Sequence, residues 1–448
     1  MANKQMKLGA FFNLPGHHVA SWRHPLTAAD QSLNLAYLQE LAQIAERGKF
    51  DMIFFADVLG LRPSGNQSAS AIKLDPLIIL AALASATRHI GLTATLTTTY
   101  NEPYQVARKF AAIDHLSGGR AAWNVVTSAN DRESLLFGKP KHLEHARRYE
   151  RAEEFVEVVK KLWLSVDREA LILDKKNGNI LDVEKLHPLD HEGEWFKLEG
   201  LLDAPATPQG HPVIVQAGSS EAGKDLAAKT AEVIFTAWQT LGEAQTFYRD
   251  VKGRLAKYGR KPDDLKIMPG VFITVAETEA EAIAKRKELN SYILPEVGLE
   301  YLSTFIGTNL SGYDVDAPLP EFVEAEDKTN PQIRANLIRT LAEREGLTTI
   351  REVYEQIAGA RGHREIVGSP TQIADQLEEW FLSDGADGFN IMPPTFPEGL
   401  RDIVELVIPE LQRRGLFRTE YESDTLRGNL GLSVPAYPDA KQTQSVHR

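Results

Sequence analysis

The stretch SGGRAAWNVVTS, residues 117–128, decides the fold. Ser117, Gly118 and Gly119 are a turn signal, and 121–126 is a short β-rich run with no polar alternation, the pattern of a strand covered on both faces. Asn124, Thr127 and Ser128 then crowd hydrogen-bonding groups at its carboxyl end. In parallel α/β proteins ligands bind at the carboxyl ends of strands, so the pattern is a functional signal if other strands end the same way.

Working outward, runs of the same kind recur at 6–12, 52–56, 90–97, 213–216, 233–236, 267–275 and 388–392, eight strands in all. Helical periodicity lies between most of them, at 33–47, 103–115, 146–164 and 371–382. Eight strand–helix units joined by right-handed crossovers predict a TIM (β/α)8 barrel, with a doubly wound open sheet as the alternative. The whole chain, 1–448, reads as one barrel domain. Two intervals near 165–210 and 277–370 are too long for barrel loops and are expected to be insertions. The first contains HEGEWFKLEG, a hairpin pattern. The second is charged and helical and is expected to form a lid. The tail from 417 has little periodicity and is expected to wrap a surface or a second subunit.

Composition narrows the function classes. A formal net charge of −12 and the lack of a basic block with interleaved aromatics argue against nucleic acid. No apolar run approaches the ~18 residues of a membrane span, and the N-terminus carries no secretory pattern, so a cytoplasmic protein is expected. There is no cysteine, which removes disulfides, thiolate nucleophiles and iron–sulfur ligation.

The expected strand ends are FFAD, TATLTTT, NVVTS, QAGSS and TAWQ. Together they put amides, hydroxyls, a carboxylate and an indole on one rim, which suits a polar heterocycle against an apolar wall. The segment GSSEAGKD, 218–225, has the Gly-x4-Gly-Lys spacing of a phosphate loop, but Asp225 stands where magnesium needs a hydroxyl. The free amides of a helix start beside Ser219 and Ser220 still offer an anion site, with a plain N-cap as the alternative. In HLEHARRY, 142–149, His142, His145 and Tyr149 share a helical face. Neither this group nor HPLDH (187–191) has a zinc-binding pattern, so no metal is expected. Trp22, Arg23 and His24 follow the first strand and are candidate substrate contacts, and Arg23, His363 and Arg364 are candidates to hold an anionic substrate group.

SGGRAAWNVVTS, with FFAD upstream, HARRYERAEEF after it and QAGSSEAG further on, resembles the luciferase-like flavin monooxygenases. The branch is that of nitrilotriacetate monooxygenase component A and dibenzothiophene sulfone monooxygenase. The resemblance runs from the first strand to NLGL near 432. It implies a TIM barrel that uses reduced FMN, delivered by a separate NAD(P)H-dependent flavin reductase, and dioxygen to oxidise a small sulfur compound or aminocarboxylate, with C–S or C–N cleavage. It also implies that Asp57, Thr95, His145, Tyr149 and Ser220 contact the flavin, with Asn124 and Ser219 beside them. His145 is the candidate proton donor. A homodimer or homotetramer is expected. Two alternatives share the barrel: a deazaflavin-dependent oxidoreductase and a non-catalytic flavin-binding protein.

Overall fold

The computed structural model describes residues 4–61, 72–128, 131–320 and 330–436. Residues 321–329 of the second expected insertion and 437–448 of the expected tail lie outside these.

Eight parallel strands close on themselves: β1 (Lys7–Phe12), β2 (Met52–Phe55), β3 (Gly91–Thr97), β4 (Ala121–Val126), β5 (Val213–Ala217), β6 (Val233–Thr236), β7 (Lys266–Val275) and β8 (Gly388–Met392). Consecutive strands pair in register, for example Thr95 with Asn124 between β3 and β4, and Lys7 with Gly388 closes the ring between β1 and β8. These are the eight strands read from sequence.

The opening stretch shows why. Helix α3 (Pro103–Ser117) stops at Gly118, whose φ of 71° is the left-handed conformation a side chain would resist. Arg120 is then buried and donates to the carbonyls of Ala84, Thr87, Ile90 and Ser117, tying the entry of β4 to its neighbours. Along β4 the side chains alternate between two apolar environments. Ala121, Trp123 and Val125 pack outward against helices, while Ala122 faces the barrel interior with Phe11, Phe54 and Val215. A strand buried on both faces has no reason to alternate polar and apolar residues.

The outer layer includes α1 (Leu35–Arg47), α2 (Pro76–Ala84), α3, α5 (His145–Trp163), α6 (Glu221–Thr230), α7 (Leu241–Arg254) and α12 (Pro370–Leu382), with the short α4 (Asp131–Leu136) after β4. The segment near 165–210 forms two antiparallel hairpins. In the second, Leu189–Glu192 pairs with Lys197–Gly200, and the turn is held by the Glu154 carboxylate of α5, which accepts from the backbone amides of Trp195 and Phe196.

Helices α8 (Glu279–Ser291), α9 (Pro295–Ile306), α10 (Asn330–Glu345) and α11 (Ile350–Ala360) follow β7. Parts of α9, α10 and α11 share a separate apolar cluster that takes in Val19 and Ala20 from the loop after β1. One element went unread within the second expected insertion: Arg364–Gly368 is a ninth parallel strand on β7, with Val271 opposite Arg364. Five residues with a charged start carry too little periodicity to stand out of a helical segment.

The tail also departs from expectation, because it plugs the barrel of its own chain. Leu426, Leu430 and Leu432 enter the interior cluster, and Leu426 reaches Gly91, where a Cβ would come within 2.5 Å of its methyl. Arg427 is buried and paired with Glu232, and Arg418 with Asp51. The opposite, carboxyl end of the strands is left for the site.

Candidate active site at the barrel mouth

A cavity of about 610 Å³ opens at the carboxyl ends of the strands. It is within the roughly 300–1,000 Å³ range of small-molecule sites. Asp57, Thr95, His145, Tyr149, Ser219 and Ser220 all line it, drawn from four separate segments of the chain. Asn124 stands behind this wall: its Nδ2 donates to Thr95 Oγ1 at 2.8 Å, and Thr95 in turn donates to the Phe55 carbonyl at 2.7 Å. Asn124 Oδ1 is buried without a partner.

The turn after β5 has the form of an anion cradle. Ser220 caps α6, its hydroxyl accepting from Gly223 N at 3.1 Å while keeping its own proton to donate. The Tyr149 hydroxyl projects toward this turn: a Cβ at Gly218 would lie 3.6 Å from it and one at Gly223 3.3 Å. The two glycines therefore keep the space between the phenol and the helix start clear of side chains. Lys224 does not add a free positive charge here, because it pairs with Asp250 and Glu221.

Further atoms on the lining are buried without partners, among them Gln216 Oε1, Thr236 Oγ1 and Trp238 Nε1. Buried polar atoms are rarely left unpaired, and these offer an acceptor, a hydroxyl and a donor to an incoming ligand. This is a chemical fit to a flavin, whose ring edge needs both donors and acceptors and whose phosphate needs amides and hydroxyls.

The electrostatics refine two residues. Burial pushes the Asp57 carboxyl above the ordinary range, against the pull of Lys73 at 3.1 Å. Burial and the neighbouring Arg148 lower the His145 imidazole, which leans on the Tyr149 ring at 4.9 Å. A histidine shifted in that direction is mostly neutral at pH 7, so it can donate one hydrogen bond and accept another.

Trp22, Arg23 and His24 are not among the residues lining this cavity. Arg23 donates to the Tyr292 carbonyl, His24 faces Glu288 at 3.9 Å, and Trp22 is half exposed. The histidines weighed for metal have other partners: His142 bonds Tyr100, His187 bonds Asp167 and His191 bonds Glu154. Among the described residues no group of His, Asp and Glu side chains is arranged to hold a metal ion, and no helix is long and apolar enough to cross a membrane.

Several lining residues escaped the sequence reading. Tyr100, stacked on Phe137 at 4.4 Å, Glu133, bonded to Ser128 at 2.6 Å, and Arg148, bonded to the Ser128 carbonyl, come from loops and from the first turns of helices. Ser128, with φ of 56°, is turned so that both can reach it. Only the rule that loops on the carboxyl side of a barrel carry function points to them.

Residues 14–388 match the luciferase-like monooxygenases. The chain belongs to that family. It is 51% identical, over 98% of its own length and 99% of the relative's, to the N-acetyl-S-(2-succino)cysteine monooxygenase of Bacillus subtilis (strain 168). It is 50% identical, again over 98% and 99%, to nitrilotriacetate monooxygenase component A of Aminobacter aminovorans. Among solved structures it superposes on a riboflavin lyase in complex with modified FMN and riboflavin, with a TM-score of 0.83, 32% identity and 98% of both chains covered. The chain is thus a flavin-dependent monooxygenase, and these relatives give no support to the deazaflavin-dependent or non-catalytic alternatives.

Proposed function

We propose that this luciferase-like chain is the oxygenase of a two-component system. It takes reduced FMN from a separate NAD(P)H-dependent flavin reductase and oxidises a small sulfur compound or aminocarboxylate with cleavage of a C–S or C–N bond. The observation that carries this reading is the convergence at one cavity of the Ser219–Ser220 helix start, the Tyr149 hydroxyl and the unpaired atoms of Gln216, Thr236 and Trp238.

When bound, reduced FMN supplies the two electrons with which dioxygen gives one oxygen atom to the substrate and one to water. The chain's own share is positioning, exclusion of water and control of protons. Ser219, Ser220 and the first amides of α6 hold the phosphate, and Tyr149 closes over it. Thr95, fixed by Asn124, and Asp57 border the ring. His145, mostly neutral, holds a proton on one ring nitrogen at the cavity wall. Phe235 and Trp238 supply an apolar surface that keeps water away. The exposed apolar hairpin carrying Ile172 and Ile180, with Val183 in the turn after it, supports a homo-oligomer, since such a patch is normally covered.

Two expected results follow. Asp57→Ala and Tyr149→Phe should each weaken reduced-FMN binding by roughly 0.5–3 kcal/mol, the worth of one hydrogen-bonding group, with the fold unchanged; unchanged affinity in both would place the flavin elsewhere. The sequence holds no G-x-G-x-x-G fingerprint, so NADH or NADPH alone should not reduce the bound flavin at a useful rate. Stopped-flow mixing with NADH, with and without a flavin reductase, tests the function itself. Oxygen-dependent turnover should appear only with the reductase, and turnover with NADH alone would overturn the two-component reading.

A further inference from the structure

A second cavity, about 420 Å³, lies next to the first, and His363 stands in the wall of both. The partition is built into the fold. The imidazole stacks on Phe235 at 5.1 Å and sits against Gly270 of β7, where a Cβ would come within 2.5 Å of Nδ1. Beyond it the second cavity is bordered by the loop after β6 (Gln239 to Leu241), by α10 and α11 and by α12.

Arg364 sets the character of this chamber. Its guanidinium lies over the Trp380 ring at 5.0 Å and donates to two neutral acceptors, the Gln239 carbonyl and Gln376 Oε1, while its buried Nε has no partner. Of the other charges of the lining, Glu345 pairs with Arg344 at 2.9 Å and Glu365 with Arg286 at 2.7 Å, while the exposed Glu379 attracts Arg364 across the cavity without forming an ion pair with it. A half-buried cation on a cavity wall with no carboxylate in contact is set up for an anionic guest.

We propose that this chamber seats a carboxylate of the substrate, with Arg364 as its counter-ion and His363 marking the border with the reaction chamber. The inference deepens the proposed function and rests on it, since it narrows the substrate to sulfur or nitrogen compounds that carry a carboxylate away from the reacting atom. Guanidinium suits this task because its planar donor fork matches a carboxylate, and stacking on Trp380 holds the fork in orientation.

The test is a calorimetric titration of the full chain, with and without FMN, using the thioether tricarboxylate (carboxymethylthio)succinate and its trimethyl ester. The wild type should bind the acid at least 10-fold more tightly than the ester. Arg364→Gln should bring the two within about twofold, and Arg364→Lys, which keeps the charge, should retain part of the preference. A purely structural arginine would change both affinities alike, and FMN affinity, expected to stay within twofold in both variants, reports that the fold is intact. Lack of acid preference in the wild type, or its persistence in Arg364→Gln, overturns the inference while leaving the flavin site standing. Failure of FMN itself to bind the wild type would instead count against the proposed function.

Discussion

Replacing Ser219 and Ser220 together by alanine is expected to cost the chain about 100-fold in affinity for reduced FMN and to leave its affinity for reduced riboflavin nearly unchanged. Riboflavin has the same ring and lacks only the phosphate. Hydrogen bonds to a charged partner are worth about 1.5–3 kcal/mol each, and two of them exceed the roughly 2.7 kcal/mol that corresponds to 100-fold. Ser220 has a second duty as the N-cap of α6, whose loss costs about 1 kcal/mol of local stability. That cost falls on both flavins alike, so the ratio of the two affinities isolates the phosphate contribution. Because Lys224 is occupied by Asp250 and Glu221, raising the salt concentration should change the ratio little. Equal losses for FMN and riboflavin would assign the serines to the ring or to the fold.

The largest stability effect is expected at the other end of the barrel. Arg427→Met removes a buried guanidinium from Glu232, from the His211 carbonyl and from the Ser433 carbonyl. Leaving one member of a buried pair uncompensated costs about 3–5 kcal/mol, enough to lower the denaturant midpoint markedly and to loosen the plug formed by Leu426, Leu430 and Leu432. The pH dependence follows from the same pair. Burial by itself would raise the Glu232 carboxyl, but Arg427, together with His211 and the Ile214 amide, outweighs it and holds the group at about 2, against an ordinary 4.5. A carboxyl depressed in the folded state contributes stability that is present above pH 4.5 and is lost as the pH falls toward 2. The contribution is about 3 kcal/mol at 1.36 kcal/mol per unit. Urea unfolding at pH 7 and pH 3 should therefore show the wild type losing most of its advantage over Arg427→Met at the lower pH. An unchanged gap would mean that packing of the arginine, and not its charge, carries the tail.

The parts of this fold that the sequence reveals share one physical cause. Strands such as 121–126 and 233–236 are buried on both faces, so they stand out as short apolar runs between turns and helices, and their observed bounds agree with the reading. Arg364–Gly368 lies at the edge of that logic, since its partner β7 is long enough to bond β6 along its first part and this extra strand along its last, while also bonding β8. The tail was opaque for a different reason: three leucines among polar residues make a plug only because Arg427 and Arg418 find buried carboxylates far away in sequence. At the site, strand ends and a helix start have fixed places on a barrel, which brought Asp57, Thr95 and Ser220 to the rim; Tyr149 came from the shared helical face of 142–149, and the assignment of all four to a flavin came from the family resemblance. Trp22, Arg23 and His24 also follow a strand, but their loop turns aside to Tyr292 and Glu288, contacts that no local pattern encodes.

The most direct measurement is a crystal structure of the full chain with FMN bound. The expected result is a phosphate against Ser219, Ser220 and the first amides of α6 within reach of the Tyr149 hydroxyl, and a ring within the barrel mouth meeting Gln216, Thr236 and Trp238. A flavin found with its phosphate away from this helix start, or lodged in the chamber beyond His363, would contradict it.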